Sequence, residues 1–315
     1  MQVNNRMLIA PRALLLAVLC FTVCICSCGG NDILSSPETV TPVITTTLPE
    51  PTTLPTRTTA PTRVLSPTPR YTATPAPTAT PFITPPQPGG TVAIPILMYH
   101  HLTALDANAS ETLRTWTVAP NQFAAQLDYL QQRGFHTITL HQLVDFFENG
   151  KSLPTNPIVL TFDDAWIDDY NVAFPELRKR DMVGVFFVPT AYVQAGGELL
   201  LNWDMVLEMD RAGMDIEGHT INHMNLSQAN LVEVRRQLVD SKQILEEKLG
   251  HPILALSYPF GAFNSKIIAE TQNAGYRAGV ILCCGYEQQS DRMFLLPRIR
   301  VSYGDTLEDF AKRLP

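Results

Sequence analysis

The chain has 315 residues, with 30 acidic side chains against 23 Lys and Arg and a formal net charge of −7. That sign argues against a polyanionic partner such as nucleic acid and suits a neutral substrate. Hydrophobic content from Thr91 onward is ordinary for one large domain able to build its own core.

Residues 1–28 read as a secretory signal. Arg6 and Arg12, with no acids, precede an apolar run from Ala13 to Ile25 that is short for a transmembrane span. Ile25-Cys26-Ser27-Cys28, followed by Gly29-Gly30, resembles a bacterial lipobox, which would make Cys28 a lipidated N-terminus. An ordinary signal peptide or an uncleaved anchor is the alternative; each reading puts the domain outside the cytoplasmic membrane, anchored or secreted. Residues 29–90 are dominated by Pro and Thr, as in Thr72-Ala73-Thr74-Pro75-Ala76-Pro77-Thr78. Such a segment buries too little apolar surface to offset its ordering entropy, so it is expected to be a disordered, semi-rigid spacer reaching about 3 Å per residue.

Residues 91–315 alternate strand and helix patterns. Thr91–Tyr99 reads as a strand and Pro120–Arg133 as an amphipathic helix with Phe123, Leu127 and Leu130 on one stripe. Phe135–Thr139 is a strand, and Leu140–Asn149 a helix stopped by Asn149-Gly150. The apolar run from Pro157 ends in the adjacent carboxylates Asp163 and Asp164; a helix bent near Pro175 follows, then a strand over Val183–Val188. Trp203–Ala212 is helical, Asp215–Glu217 a short strand, and Asn230–Leu249 a long helix. Ile253–Ser257, Tyr276–Leu282 and Phe294–Val301 complete the strands. Cys283 and Cys284 read as two small buried side chains on a strand, a strained adjacent bridge being the alternative. Repeated β–α units specify an α/β fold with a parallel sheet, and this many favour closure or near-closure into a barrel over an open sheet.

Two stretches carry chemistry. Strand C-termini in α/β folds deliver functional groups, and Asp163-Asp164 ends such a strand, although a helix cap would also place acids there. In Ile216-Glu217-Gly218-His219-Thr220-Ile221-Asn222-His223, two His at i and i+4 lie on one face of a helical turn and can close on one cation. Asp164, His219 and His223 then form a metal site with open positions, and Asp163 is the natural general base.

Thr161-Phe162-Asp163-Asp164, His219 to His223 and Ser257-Tyr258-Pro259-Phe260-Gly261 together resemble, in order and spacing, three motifs of the polysaccharide deacetylases, the family four carbohydrate esterases. Ile96-Leu97-Met98-Tyr99-His100-His101 resembles the branch that includes the poly-N-acetylglucosamine deacetylases of biofilm matrices. The resemblance implies a distorted barrel with fewer than eight strands and a divalent cation, Zn²⁺ being the best match. It also implies removal of N-acetyl groups from a polysaccharide. It assigns the Phe260 backbone N–H to the oxyanion, with Tyr258 beside the substrate. Two departures stand out. No His follows His251, so the resemblance moves the general acid to His100, with His101 pointing away if the strand continues. Ser257 replaces an Arg that touches the base in the family, and Arg298, at the end of the last strand, is the candidate to take its place, a surface Arg being the alternative. Tyr258, Trp203 and Asp204 line a sugar groove or pack the core. His136, His141 and His251 have no motif context.

Other classes fit some of these residues. Two His and a carboxylate also describe non-haem iron oxygenases, although their ligands include a His-x-carboxylate pair close in sequence. A surface glycan-binding protein of the same fold, or an O-acetyl esterase, would share most of the motifs.

Overall fold

The computed structural model describes residues 82–283 and 285–315. The signal-like segment with Cys28, the linker through residue 81 and Cys284 lie outside the described residues. Phe82–Ile83 pairs antiparallel with Leu153–Pro154, and the Gly89 N–H donates to Ser290 Oγ at 2.9 Å. The folded part therefore takes in residues that composition assigns to the linker.

The main sheet contains β1 (Ile96–Tyr99), β2 (His136–Thr137), β3 (Pro157–Asp163), β4 (Val185–Val188), β5 (Asp215–Gly218), β6 (Ala255–Ser257), β7 (Ala278–Val280) and β8 (Ile299–Arg300). Seven of them form one path, β7-β6-β5-β4-β3-β1-β8, with β2 pairing beside β3. Every pairing is parallel. Leu296, just before β8, bridges Val280 of β7, and the Ile281 N–H donates to its carbonyl at 3.0 Å. The ends of the path thus meet, and the architecture is the expected distorted barrel with seven strands around it.

Strand alternation sorts side chains between the barrel interior and the layer under the helices. On the outward layer, Phe162 stacks on Phe186 at 4.7 Å and on Tyr99 at 5.4 Å. Helix α1 (Pro120–Gln132) covers these rings with Phe123, Leu127 and Leu130. Each such aromatic contributes roughly 1.5–3 kcal/mol by burial. On the inward face Val159, Val185, Phe187 and Ala255 form a second cluster, sealed by Leu140, Leu143 and Phe146 of α2 (Leu140–Asn149). The same inward register carries Thr161 and Asp163 on β3, Asp215 and Glu217 on β5, and Ser257 on β6.

Helix α2 has the expected bounds because its ends are chemically marked: Thr139 and Gln142 form a capping box, and Gly150 ends it at φ 70°. α3 (Trp203–Arg211), α4 (Leu231–Leu249) and α5 (Ser265–Asn273) start at Asn202, Asn230 and Asn264, each accepting from a first-turn N–H. Several expected elements are shorter or broken. Pro95, lacking an N–H, splits Thr91–Tyr99, and Thr91–Ala93 pairs with Glu287–Gln289 instead. The helix after Asp164 is a π-helical turn at Asp169–Ala173 running into Phe174–Arg178. Phe294–Val301 is a 3₁₀ turn at Met293–Leu295 followed by β8 after Pro297. β7 stops at Val280, so Cys283 is exposed beyond the strand, not buried on it, and it is disulfide-bonded.

Candidate active site

β3 delivers both carboxylates, and a sharp turn sends them in different directions. Asp164 and Ala165 have φ of 82° and 59°, a left-handed conformation that is costly for residues with a Cβ. The turn is held by the Leu201 N–H donating to the Ala165 carbonyl and by a bridge between Trp166 and Leu200. Asp163 therefore stays on the interior face, 2 % exposed, while Asp164 faces the mouth of the barrel.

The His pair sits in a loop, not in the expected helical turn. β5 ends at Gly218, and Thr220 and His223 have φ of 66° and 55°. The side-chain carbonyl of Gln237, buried on α4, accepts from the Ile221 and Asn222 N–H groups at 3.0 and 3.3 Å. That clamp folds the loop so that both rings converge although no helix joins them. His219 Nδ1 donates to the Ser257 carbonyl at 2.7 Å, which leaves Nε2 as its open nitrogen.

His219 Nε2 and His223 Nε2 each lie 3.2 Å from Asp164 Oδ1, yet that buried oxygen has no hydrogen-bond partner. The spacing is close to the ligand–ligand edge of about 3.3 Å that 2.0–2.1 Å bonds give in a tetrahedral site. Two imidazole nitrogens and a carboxylate oxygen thus fit a divalent cation better than they fit one another. Burial raises the Asp164 carboxyl, but contact with and charge on the His219 ring more than offset it, down to about 2. Burial and the neighbouring His219 push His223 down to about 4, so its imidazole is neutral, the ligating form.

Asp163 is gripped from the opposite side of the barrel. Arg298 Nη1 donates to its Oδ1 and Nη2 to its Oδ2, both at 2.8 Å, and the Ser257 hydroxyl donates to Oδ2 at 3.0 Å. Arg298 precedes β8; register puts it low in the barrel, and its long side chain runs up the interior past Thr161. Burial raises the Asp163 carboxyl, but the guanidinium more than offsets it and holds the group well below the usual carboxylate range. Ser257 thus orients both Asp163, through its hydroxyl, and His219, through its carbonyl.

The cleft above these groups measures about 590 Å³. His100 and His101 both line it, because the strand breaks at His100 and His101 begins a separate short strand. The expected opposite orientation of His101 is therefore not found. His100 lies against Trp116 with ring centres 4.5 Å apart and the planes tilted, and burial lowers its pKa despite Asp163 and Asp164 nearby. Phe260 is 59 % exposed with its ring 4.5 Å from His223. Its turn is closed by the Gly261 and Ala262 N–H groups, which leaves the Phe260 N–H outside the turn's own bonds. Tyr258 is buried at 1 % exposure and packs over Gly279, where an added Cβ would lie 2.8 Å from its ring. Trp203 instead bonds Gln194. Trp116 and Leu113 line the cleft from a segment in which the sequence shows no motif.

The polysaccharide deacetylase family profile matches residues 150–279. The chain is 26 % identical over 220 residues to the poly-beta-1,6-N-acetyl-D-glucosamine N-deacetylase of Staphylococcus aureus, across 65 % of this chain and 74 % of that one. Its fold is similar to the Streptococcus pyogenes deacetylase PplD in complex with acetate, with a TM-score of 0.66 and 29 % identity over 72 % of this chain and 100 % of that one. A polysaccharide deacetylase from Bacillus cereus gives 0.63 and 26 % over 71 % and 70 %.

Proposed function

Since the chain belongs to the polysaccharide deacetylases, we propose that it is a metal-dependent hydrolase removing N-acetyl groups from a GlcNAc-type polysaccharide outside the cell. The observation that carries this is the unpaired, buried Asp164 Oδ1 facing two Nε2 atoms, with a second, clamped carboxylate beside it. Asp164, His219 and His223 would hold the cation, and this nitrogen-rich donor set suits Zn²⁺. When bound, such a cation polarises an acetyl carbonyl and makes a water easier to deprotonate.

The chain's own residues do the rest. Asp163 Oδ2 already accepts two hydrogen bonds and Oδ1 one, so Oδ1 keeps a lone pair for the proton of the attacking water. Arg298 fixes the carboxylate plane and keeps it ionised. The Phe260 N–H donates to the developing oxyanion, a contribution of about 3 kcal/mol for one such donor. His100 supplies the proton to the leaving amine, and Trp116 and the Phe260 ring give the sugar an apolar wall.

The test is acetate release from matched N-acetylated and O-acetylated glycans, with and without chelator. N-acetyl hydrolysis abolished by chelator is expected, and His223→Ala is expected to lose the metal of the cleft while staying folded. Release from O-acetyl glycans alone would make this an esterase. No release from any glycan would leave a binding protein, and full metal content in His223→Ala would remove that residue from the ligands.

Among the described residues no helix is long and apolar enough to cross a membrane. We place the domain outside the cell, held by lipid on Cys28. Cys28→Ser is expected to move the chain from the membrane fraction to the soluble one. Retention in the membrane would favour an uncleaved anchor.

A further inference from the structure

A second cluster with the same character lies at the base of the barrel. From the position and bonding of His141, Asp215 and Glu217, we infer that this chain holds a second divalent cation, of the Zn²⁺ class, at a site distinct from the cleft. Asp215 and Glu217 are alternate residues of β5 facing the interior, below His219 on the same side of the strand. His141 is at the second position of α2, the helix that seals this end.

Glu217 is fixed by one oxygen and unpartnered at the other, and Asp215 is likewise held by one oxygen. Asp215 Oδ2 accepts from the Leu140 N–H at 2.8 Å. Glu217 Oε2 accepts from Leu254 and Ala255 N–H groups at 3.0 and 2.8 Å. The remaining oxygens, Glu217 Oε1 and Asp215 Oδ1, lie 3.2 and 3.7 Å from His141 Nε2. Glu217 is fully buried, and both its Oε1 and His141 Nε2 lack a hydrogen-bond partner. A His bound to a single carboxylate looks different in this protein: His251 Nε2 meets Asp210 Oδ1 at 2.7 Å in a true hydrogen bond. The His141–Glu217 contact instead matches those of Asp164 with its two His, at the length of a coordination-polyhedron edge and with no hydrogen bond formed, while Asp215 Oδ1 stands farther off.

Charge points the same way. Two carboxylates at 5 % and 0 % side-chain exposure need compensation, and among the described residues no Lys or Arg pairs with either. A neutral imidazole with a divalent cation balances both acids. One nitrogen and two oxygens suit a borderline cation. Bound there, the cation would tie the start of α2 to β5.

The test is metal content of the full chain, stripped with chelator, dialysed against buffered Zn²⁺ alone and assayed beside circular dichroism. The parent is expected to hold two equivalents. His141→Ala and Glu217→Gln should each lose one, His223→Ala should lose the other, and His141→Ala with His223→Ala should hold none. His141 is only partly buried, so its variant decides if Glu217→Gln does not fold. A folded His141→Ala that keeps every equivalent the parent holds overturns the inference and leaves an imidazolium clamped between two acids. Because His223→Ala reports on the cleft separately, either site can fail without the other.

Discussion

Asp163→Asn is expected to lower acetate release by about 10² to 10⁴, the usual cost of losing a general base, while the variant still binds its cation. Asp164→Asn is expected to lose both, since its Oδ1 is the atom that faces the two imidazoles. The comparison is demanding because Asp163 also has a structural burden. Arg298 is wholly buried, and among the described residues its charge is met by this one carboxylate. Breaking such a pair from one side typically costs about 3–5 kcal/mol. Asparagine keeps one acceptor oxygen, so its cost lies towards the lower end, and activity is best compared well below the variant's melting temperature. Adding Arg298→Gln to Asp163→Asn removes the stranded guanidinium. That double variant should recover stability without recovering turnover, which separates the base from the ion pair. Equal metal loss in Asp163→Asn and Asp164→Asn would show that the two roles are wrongly divided.

What the sequence disclosed depends on how local the determinant is. The bounds of α2 follow from a capping box and an Asn-Gly stop, both contained in a dozen residues. Asp163 and Asp164 are legible because an apolar run ends in them. The convergence of His219 and His223 is also legible, but by the wrong route: Gln237, on a helix that starts eight residues later, shapes the loop that a helical spacing seemed to explain. Arg298 shows the limit in another way. Sequence can nominate an Arg for the missing partner of Asp163, but only barrel closure brings the segment before β8 across to β3. His141 looked ordinary for the same reason, since Asp215 and Glu217 are more than seventy residues away and meet it only when α2 seals the barrel. Trp116 carries no local pattern at all; its place beside His100 comes from the short parallel pairing of His101–Leu102 with Thr117–Val118.

His100→Ala is expected to lose about 10² to 10⁴ of amide turnover, the range for a general acid, and to be hurt far less on an activated ester. The amide needs its departing nitrogen protonated, whereas a good ester leaving group departs as the anion. His100 suits the role by position: it lines the cleft beside Asp163 and Asp164, and Trp116 holds its ring. Its environment complicates the role. Burial lowers its pKa below the ordinary 6.5, and this outweighs the two carboxylates that favour the charged form. A general acid works only while protonated, so activity should fall with rising pH from below 6.5, and a bound cation would move that limb lower still. The base sets the other limb. Asp163 is held below the ordinary carboxylate range by Arg298, so it stays ionised in mild acid. The profile for amide hydrolysis should therefore be a bell displaced to the acid side, and on an activated ester its alkaline limb should flatten. His100→Ala should reproduce that flat limb on the ester while retaining its metal. An alkaline limb that survives in His100→Ala, or equal losses on amide and ester, would assign the proton to another group and leave His100 to position the sugar with Trp116.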